Sequence, residues 1–589
     1  MAVVKKWLSV SLSIVLVGVL LAACSSSNNT PEESESPSAS PVESASADPS
    51  AEPTAGTGAE DAIGVFEATD ANLVPAIAKN RTDTLIVGMT DPKGVFSPIF
   101  GETVYDNYVN NAIFDTFLEV AADGTYIESL AEKLDISEDG LKYTFHLKPG
   151  VTYTDGSPVT VKDYLFTLKL MLDASYDGPS DPLSYNIVGG QEYHDGKASE
   201  ISGVKVIDDH TVEVTVTEKS ALTRVELGSI PFMSEAYYGK GYKQGDLQSV
   251  KALNDKPLGS GQYKLVSYKP GQEVVLEANA QYFRGAPKVK NVIFKTTTES
   301  TNIAMLESGE TDMDNITVSE DNVEALKMLG FLDVHVLPNN GYGYIAFNHK
   351  LKKFQDAKVR QALTYGLNRK EIVEGIYGPY AYVLNIPESN VSWAYTDENI
   401  EPYEFDPEKA KQLLDEAGWT VGSDGIREKD GEKFTINFSA TADNPVVDAL
   451  LPIMTTNYKD LGIEVVSETL DFNAIMDKSD TGDFEMFFAA WGLTPDPDNT
   501  VYITDGAQND MGYSNPKVDE LMAAGKKELD LEKRKEIYKQ MYQELNKDLP
   551  AIFLYQRTNM WGISARTEGF DISPYKDFAY SLYQVELAQ

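Results

Sequence analysis

One cysteine, Cys24, stands in a chain of 589 residues. Intrachain disulfides, thiolate metal sites and a buried cysteine nucleophile are therefore excluded. Basic residues are also short: 50 Lys and Arg face 91 Asp and Glu, a formal charge of -41. Such a surface repels phosphate backbones, which excludes nucleic acid as a partner. The five histidines, His146, His194, His210, His335 and His349, are never three or four apart, and no His-Glu-x-x-His occurs. A zinc hydrolase has no support. No Gly-x4-Gly-Lys-Ser/Thr is present, because Gly196-Lys197, Gly239-Lys240 and Gly525-Lys526 lack the following hydroxyl. The chain cannot use a P-loop to spend ATP. Gly259-Ser260-Gly261 lacks the flanking spacing of a nucleophile elbow. Ser202 and Ser514 each begin a Ser-x-x-Lys, but no Lys-Thr-Gly or Ser-Asp-Asn accompanies them. No catalytic residue, metal site or cofactor is expected.

After the leader described next, no run approaches eighteen apolar residues. Residues 1–23 read as a signal peptide: Lys5 and Lys6 precede an apolar stretch over residues 7–21, and small residues lead to Leu21-Ala22-Ala23-Cys24. As a helix that stretch would span roughly 22 Å, short of a ~30 Å hydrocarbon core. Residues 25–60 hold ten Ser, five Pro and seven acids, with no Lys, Arg or aromatic residue. That composition cannot bury enough apolar surface to offset chain entropy, so a disordered tether is expected, with a coil span of roughly 33 Å.

From about Asp83 the chain turns globular, and its length calls for at least two folded lobes. Residues 84–89 read as a buried strand. Residues 134–147 alternate around an Asp-Gly turn and residues 204–216 around Asp208-Asp209, two hairpin patterns. Thr160 with Asp163 reads as a helix cap. Asp406-Pro407 opens another helix that Gly418 ends. Ile537, Met541 and Leu545 fall at helical spacing, and residues 551–555 read as a strand after Pro550. The fold class is mixed α/β with several sheets.

Several segments carry a resemblance. The Leu-Ala-Ala-Cys run resembles the lipobox of bacterial lipoproteins, which implies lipidation of Cys24 and cleavage before it. Leu130-Ala131-Glu132-Lys133, Leu147-Lys148-Pro149-Gly150-Val151, then Asp155-Gly156-Ser157-Pro158-Val159-Thr160 and Asp163 resemble the extracellular solute-binding proteins of family 5. Gly259 to Leu265, Leu306 to Met313, Phe354 to Leu363, Asp406 to Trp419 and Tyr513 to Asp519 extend the match in order.

The resemblance implies a two-lobed, hinged clamp like the periplasmic binding proteins, with an extra inserted domain. Lobe I would comprise residues 83–105, 255–340 and 551–589; residues 106–254 would be the insertion and 341–550 lobe II. Residues 61–82 would be a connecting segment of unassigned role. It further implies a monomer, lipid-anchored on the extracytoplasmic face, capturing an oligopeptide or other small solute for ABC permease and ATPase subunits on separate chains. A Gram-positive envelope suits the long tether. An oligosaccharide or metal chelate as ligand, and a surface peptide sensor without transport, stay open. Family peptide binders place an aspartate three residues after a strand-ending Trp; here Trp491 is followed by Thr494, with Asp496 two residues on, and Phe488 stands where an arginine is common. Trp491, Thr494, Asp496, Phe472, Phe488, Tyr185, Tyr342 and Tyr344 are the expected ligand-binding residues.

Overall fold

The computed structural model describes residues 62–588 apart from residues 102, 443, 498–499 and 507. The signal peptide, Cys24 and the tether lie outside the described residues. No helix among them is long and apolar enough to cross a membrane.

The first buried strand, Thr84–Met89, forms as its apolar run dictates, with Leu85 and Val87 fully buried. It pairs in parallel with Asn291–Thr296 and touches Met313–Ile316. These strands belong to a 13-stranded sheet whose main path runs Glu464–Leu470, Thr435–Thr441, Met486–Gly492, Gly341–Phe347, Ala551–Ser564, Met313–Ile316, Thr84–Met89, Asn291–Thr296, Glu273–Ala278 and Tyr263–Lys269.

The long strand Ala551–Ser564 holds the two halves together. Its residues 551–555 pair with Gly341–Phe347, in the core of the second lobe, and residues 558–564 pair with Leu332–Pro338 and Met313–Ile316 of the first. The boundary expected before Ala551 is therefore the start of a strand that serves both lobes. Pro338 and Gly341 are separated only by Asn339-Asn340, so the hinge is this turn together with residues 556–557 of the long strand.

Residues 62–82 extend the first lobe. Gly64–Phe66 adds to Leu332–Pro338, and Val74 and Ala78 pack with Leu306 and Val334. The helix Val104–Ile113 also sits with this lobe: it packs on the short helical segment Phe578–Gln584, with the Tyr108 and Phe578 rings 4.8 Å apart. On packing grounds the insertion starts after Ile113 rather than at 106.

The insertion is built on a four-stranded antiparallel sheet in the order Ala131–Ile136, Lys142–Leu147, Thr211–Thr215, Val204–Asp208. The Asp-Gly turn forms because Gly140 takes φ 72°, a left-handed conformation that costs a side-chain-bearing residue energy. The helix Val161–Met171 begins on a reciprocal Thr160–Asp163 capping box. Phe117, Phe145, Tyr164 and Phe232 close its core. In the second lobe, Asp406 accepts from the Lys409 amide at 2.9 Å to open Pro407–Glu416. The helix Leu531–Asp548 buries Met541 and Leu545.

The run through Asp312 has a structural role. The Asp312 carboxylate, fully buried, takes hydrogen bonds from Arg566 Nε at 2.7 Å, Arg81 Nη2 at 2.8 Å and the Ile86 amide at 2.9 Å. It joins the first strand to the chain's C-terminal segment.

Candidate ligand-binding site

Strand alternation sorts the expected site residues. Met486–Gly492 lies beside Gly341–Phe347, with Trp491 opposite Tyr342 and Ala489 opposite Tyr344. Successive side chains point to opposite faces. Trp491, Tyr342 and Tyr344 therefore share one face: the Tyr344 and Trp491 rings stack at 6.4 Å and 5°, and Tyr342 and Tyr344 are 5.8 Å apart. The Tyr342 hydroxyl pairs with that of Tyr502 at 2.9 Å. The Trp491 indole N–H is buried without a hydrogen-bond acceptor.

Phe488 turns the other way. It is 4% exposed and stacks on Tyr555 at 6.2 Å inside the opposite core, so it does not join the Trp491 face. The odd spacing from Trp491 is the cause. Phe472 opens the helix Phe472–Thr481 as a half-exposed ring with no ring contact to a described residue. Tyr185 ends a short turn, Pro182–Tyr185, against the core of the insertion; burial, then the nearby Glu226, push its phenol well up.

The loop after Trp491 is pinned to the hinge. Asn340 Nδ2 donates to the Leu493 carbonyl at 2.9 Å, while the Leu493 amide donates to the Asn340 carbonyl at 2.9 Å. The Trp393 indole N–H donates to the Pro495 carbonyl at 3.1 Å. The exposed Thr494 spends its hydroxyl on the Asp496 carbonyl at 2.5 Å. Asp496 is bound bidentately by Arg534, with Nη1 at 2.7 Å and Nη2 at 2.6 Å. Arg534 is itself stacked over Trp393, 4.9 Å from the ring centre. Asp496 thus already holds a buried guanidinium, where a ligand ammonium was expected.

Behind this loop lies Glu388, which is 1% exposed. It accepts from the Tyr542 hydroxyl and from the Ser389 amide. Burial pushes its carboxyl up to about 7 from 4.5, and the Asp496 charge adds to the rise. A carboxyl raised in the folded state favours folding most while both states are protonated, and that advantage is lost as pH climbs from the unfolded value through the folded one. Glu388→Gln should therefore gain on the parent protein by on the order of 2–3 kcal/mol between pH 5 and pH 8. Urea midpoints of the two proteins at both pH values check this; parallel pH dependence would refute it.

Gln556 organises the hinge itself. Fully buried, its Nε2 donates to the Asn339 carbonyl and to Ser389 Oγ, each at 2.8 Å, and its Oε1 accepts from the Asn390 amide at 2.8 Å. Beside it, at the carboxyl ends of Thr84–Met89 and Asn291–Thr296, a cavity of about 320 Å³ is bordered by Thr90, Glu299, Asp314, Asn339, Arg557 and Trp561 among others. At the far rim the insertion and the first lobe meet the second: the Ala221 amide donates to the Lys526 carbonyl at 2.8 Å and the Tyr575 hydroxyl to the Val391 carbonyl at 2.7 Å.

Sequence reasoning missed Arg534, Trp393, Glu388, Gln556 and Arg557. Arg534 stands in a Lys/Glu-rich helix and pairs across 38 residues, a separation that leaves no local signal.

Two lobes joined at a strand hinge and bonded to each other at the rim, with a cavity in the first lobe beside that hinge, define a solute-binding clamp. The chain belongs to the bacterial extracellular solute-binding proteins, family 5, whose model matches residues 125–512. It is 29% identical over 517 residues to the oligopeptide-binding protein AppA of Bacillus subtilis, covering 85% of this chain and 90% of that one. It is also 29% identical to heme-binding protein A of Haemophilus influenzae, covering 85% and 92%. Among solved structures, Bacillus subtilis AppA in complex with a nonapeptide superposes with a TM-score of 0.71 at 28% identity, over 86% of this chain and 99% of that one. The ABC transporter substrate-binding protein CtaP of Listeria monocytogenes gives 0.74 at 25% identity, over 86% and 100%.

Proposed function

We propose that this chain is the lipid-anchored, substrate-binding component of an ABC importer and that its cargo is oligopeptide. The observation that carries the reading is the likeness to the nonapeptide complex of AppA, which spans nearly all of that protein and therefore both lobes and the cleft between them. Closure of two lobes over a solute excludes water and creates a surface that a permease can distinguish from the open form. Of the three aromatics on that face, the partly buried Trp491 is the one offered to the ligand, while Tyr342 and Tyr344 are buried in the core of the second lobe and support it from behind. The chain acts as a monomer, without catalysis. The Ser514 hydroxyl pairs with that of Thr504 at 2.9 Å.

Native mass spectrometry of the chain purified from its own cells tests the cargo. A ladder of co-purified peptides, which rebinds after removal, is the expected result. Rebinding of hemin in place of peptides would move the cargo to the class named by the second relative and leave the transport role standing. Anchoring through Cys24 on the outer face of the cell membrane, in a Gram-positive envelope, is tested by Cys24→Ala. The variant should appear in the culture medium, by immunoblot, in place of the membrane fraction; full retention would remove the lipid anchor from the reading.

A further inference from the structure

Nine arginines lie among the described residues, and eight of them have engaged guanidiniums. Arg81 and Arg566 hold Asp312, Arg284 holds Glu119, Arg360 holds Asp548, Arg427 holds Asp415 and Arg534 holds Asp496. Arg224 and Arg369 donate to main-chain carbonyls. Arg557 is the exception. Its guanidinium makes no hydrogen bond or ion pair with any described residue. In a chain carrying 91 acids this is a specific omission.

The place of the omission matters. Arg557 borders the cavity beside the hinge, and its main chain is held from both sides: its carbonyl accepts from the Asn339 amide at 2.9 Å, and it pairs with Ala381 across the strand. The base of the side chain is fixed, and its exposed head is unpaired among the described residues. Neither acid that borders the same cavity, Glu299 or Asp314, forms an ion pair with it. Glu299 takes a hydrogen bond from the Thr317 hydroxyl at 2.8 Å instead. Asp314 is 2% exposed, keeps one carboxyl oxygen without a partner, and is pushed up to about 7 by burial, so near neutral pH it carries a full charge only part of the time.

Across the hinge turn the polarity is the reverse of a site for an amino terminus. Asp496, the acid of the loop after Trp491, is already matched by Arg534 in a bidentate pair. Arg557 is thus an exposed cation with no partner among the described residues, whereas the carboxylate of Asp496 is already satisfied. A guanidinium is a fork that matches a carboxylate with two parallel hydrogen bonds, and it is weakly enough hydrated to serve in a closed site.

We infer that Arg557 anchors the bound solute by one of the solute's carboxylates, and that a free ammonium group on the ligand is not required. This rests on the peptide reading above, in which the carboxylate is either the peptide's C-terminus or an acidic side chain.

The test uses the purified full chain in detergent and calorimetry against pentapeptide libraries of neutral residues. Four forms are compared: free acids, C-terminal amides, N-acetylated acids, and amides carrying one Glu. Free acids should bind at least tenfold more tightly than neutral amides, N-acetylation should change binding less than threefold, and Arg557→Gln should erase the difference between acid and amide. Arg557→Lys, which keeps the charge but loses the fork, should retain part of it. Glu-bearing amides that match the free acids, with the gain lost in Arg557→Gln, would assign the carboxylate to a side chain. Equal binding of acids and neutral amides would overturn the inference while leaving peptide capture intact. Binding of no form would overturn peptide capture, and the inference with it.

Discussion

Asp312→Ala should cost the protein on the order of 3–5 kcal/mol of stability, the largest effect expected of any single substitution outside the apolar cores. The wild-type carboxylate is fully buried and shared by Arg566, whose side chain is 3% exposed, and Arg81. Arg566 also donates to the carbonyls of Arg81 and Thr84, so it cannot swing out to water without releasing the first strand. Removing the acid leaves a guanidinium buried without compensation, which is the costly way to break such a cluster; replacing all three members by apolar groups would be cheaper. The loss should fall on the first lobe. Urea unfolding followed by circular dichroism should show either a lowered midpoint or a separate early transition, and a change below about 1 kcal/mol would mean that the cluster contributes little.

The second large effect belongs to Gln556→Leu. The side chains are close in volume, so the change removes polarity more than packing. It removes the partner of the Asn390 amide, which lies on an exposed residue, and leaves the Asn339 carbonyl and the Ser389 hydroxyl with a longer contact to each other at 3.4 Å. A buried group that loses its partner costs about 1–3 kcal/mol, and these residual contacts and water recover part of that, so a net loss of about 2 kcal/mol is expected. Binding should suffer as well. Ser389 and Asn390 begin the loop that carries Trp393, whose indole holds the Pro495 carbonyl of the loop after Trp491. A tenfold weaker Kd for the co-purified peptides, measured by calorimetry, is the expected readout. Unchanged affinity together with unchanged stability would show that the hinge does not depend on this residue.

Much of the fold could be read before any coordinates. Thr84–Met89 matches its apolar run residue for residue, and both hairpins and the Thr160 and Asp406 caps stand where local chemistry puts them. These features depend on neighbours a few positions away. The strand from Ala551 could be read only as far as Tyr555, although it continues to Ser564. The residues that follow, Gln556, Arg557, Thr558 and Asn559, look like a turn in sequence. They remain a strand because distant groups satisfy them: Gln556 through Asn339 and Ser389, and Thr558 through the Tyr380 carbonyl.

The same distance limits the reading of the site. The aromatic wall of Trp491, Tyr342 and Tyr344 follows from strand period once the pairing is known. The resemblance places Phe488 in the site, but the odd spacing turns it to the other face. Asp496 looked free because its partner lies 38 residues away on a helix whose pattern is otherwise that of a solvated surface. Arg557 carries the opposite lesson: nothing in its neighbours marks it, and only the full set of contacts shows that it has no partner among the described residues.

The position of Ala551–Ser564 in the middle of the sheet sets a schedule for the chain's maturation. Neither half of the sheet is complete until a strand within the last forty residues is in hand, and Arg566 then reaches back 485 residues to the Arg81 carbonyl. A polypeptide threaded through a membrane from its amino end thus withholds its final topology until almost the whole thread has emerged. Contacts of such sequence separation are slow to form. On the export proposed for this chain, that delay would keep the polypeptide pliable in transit and leave assembly of the clamp to the far side.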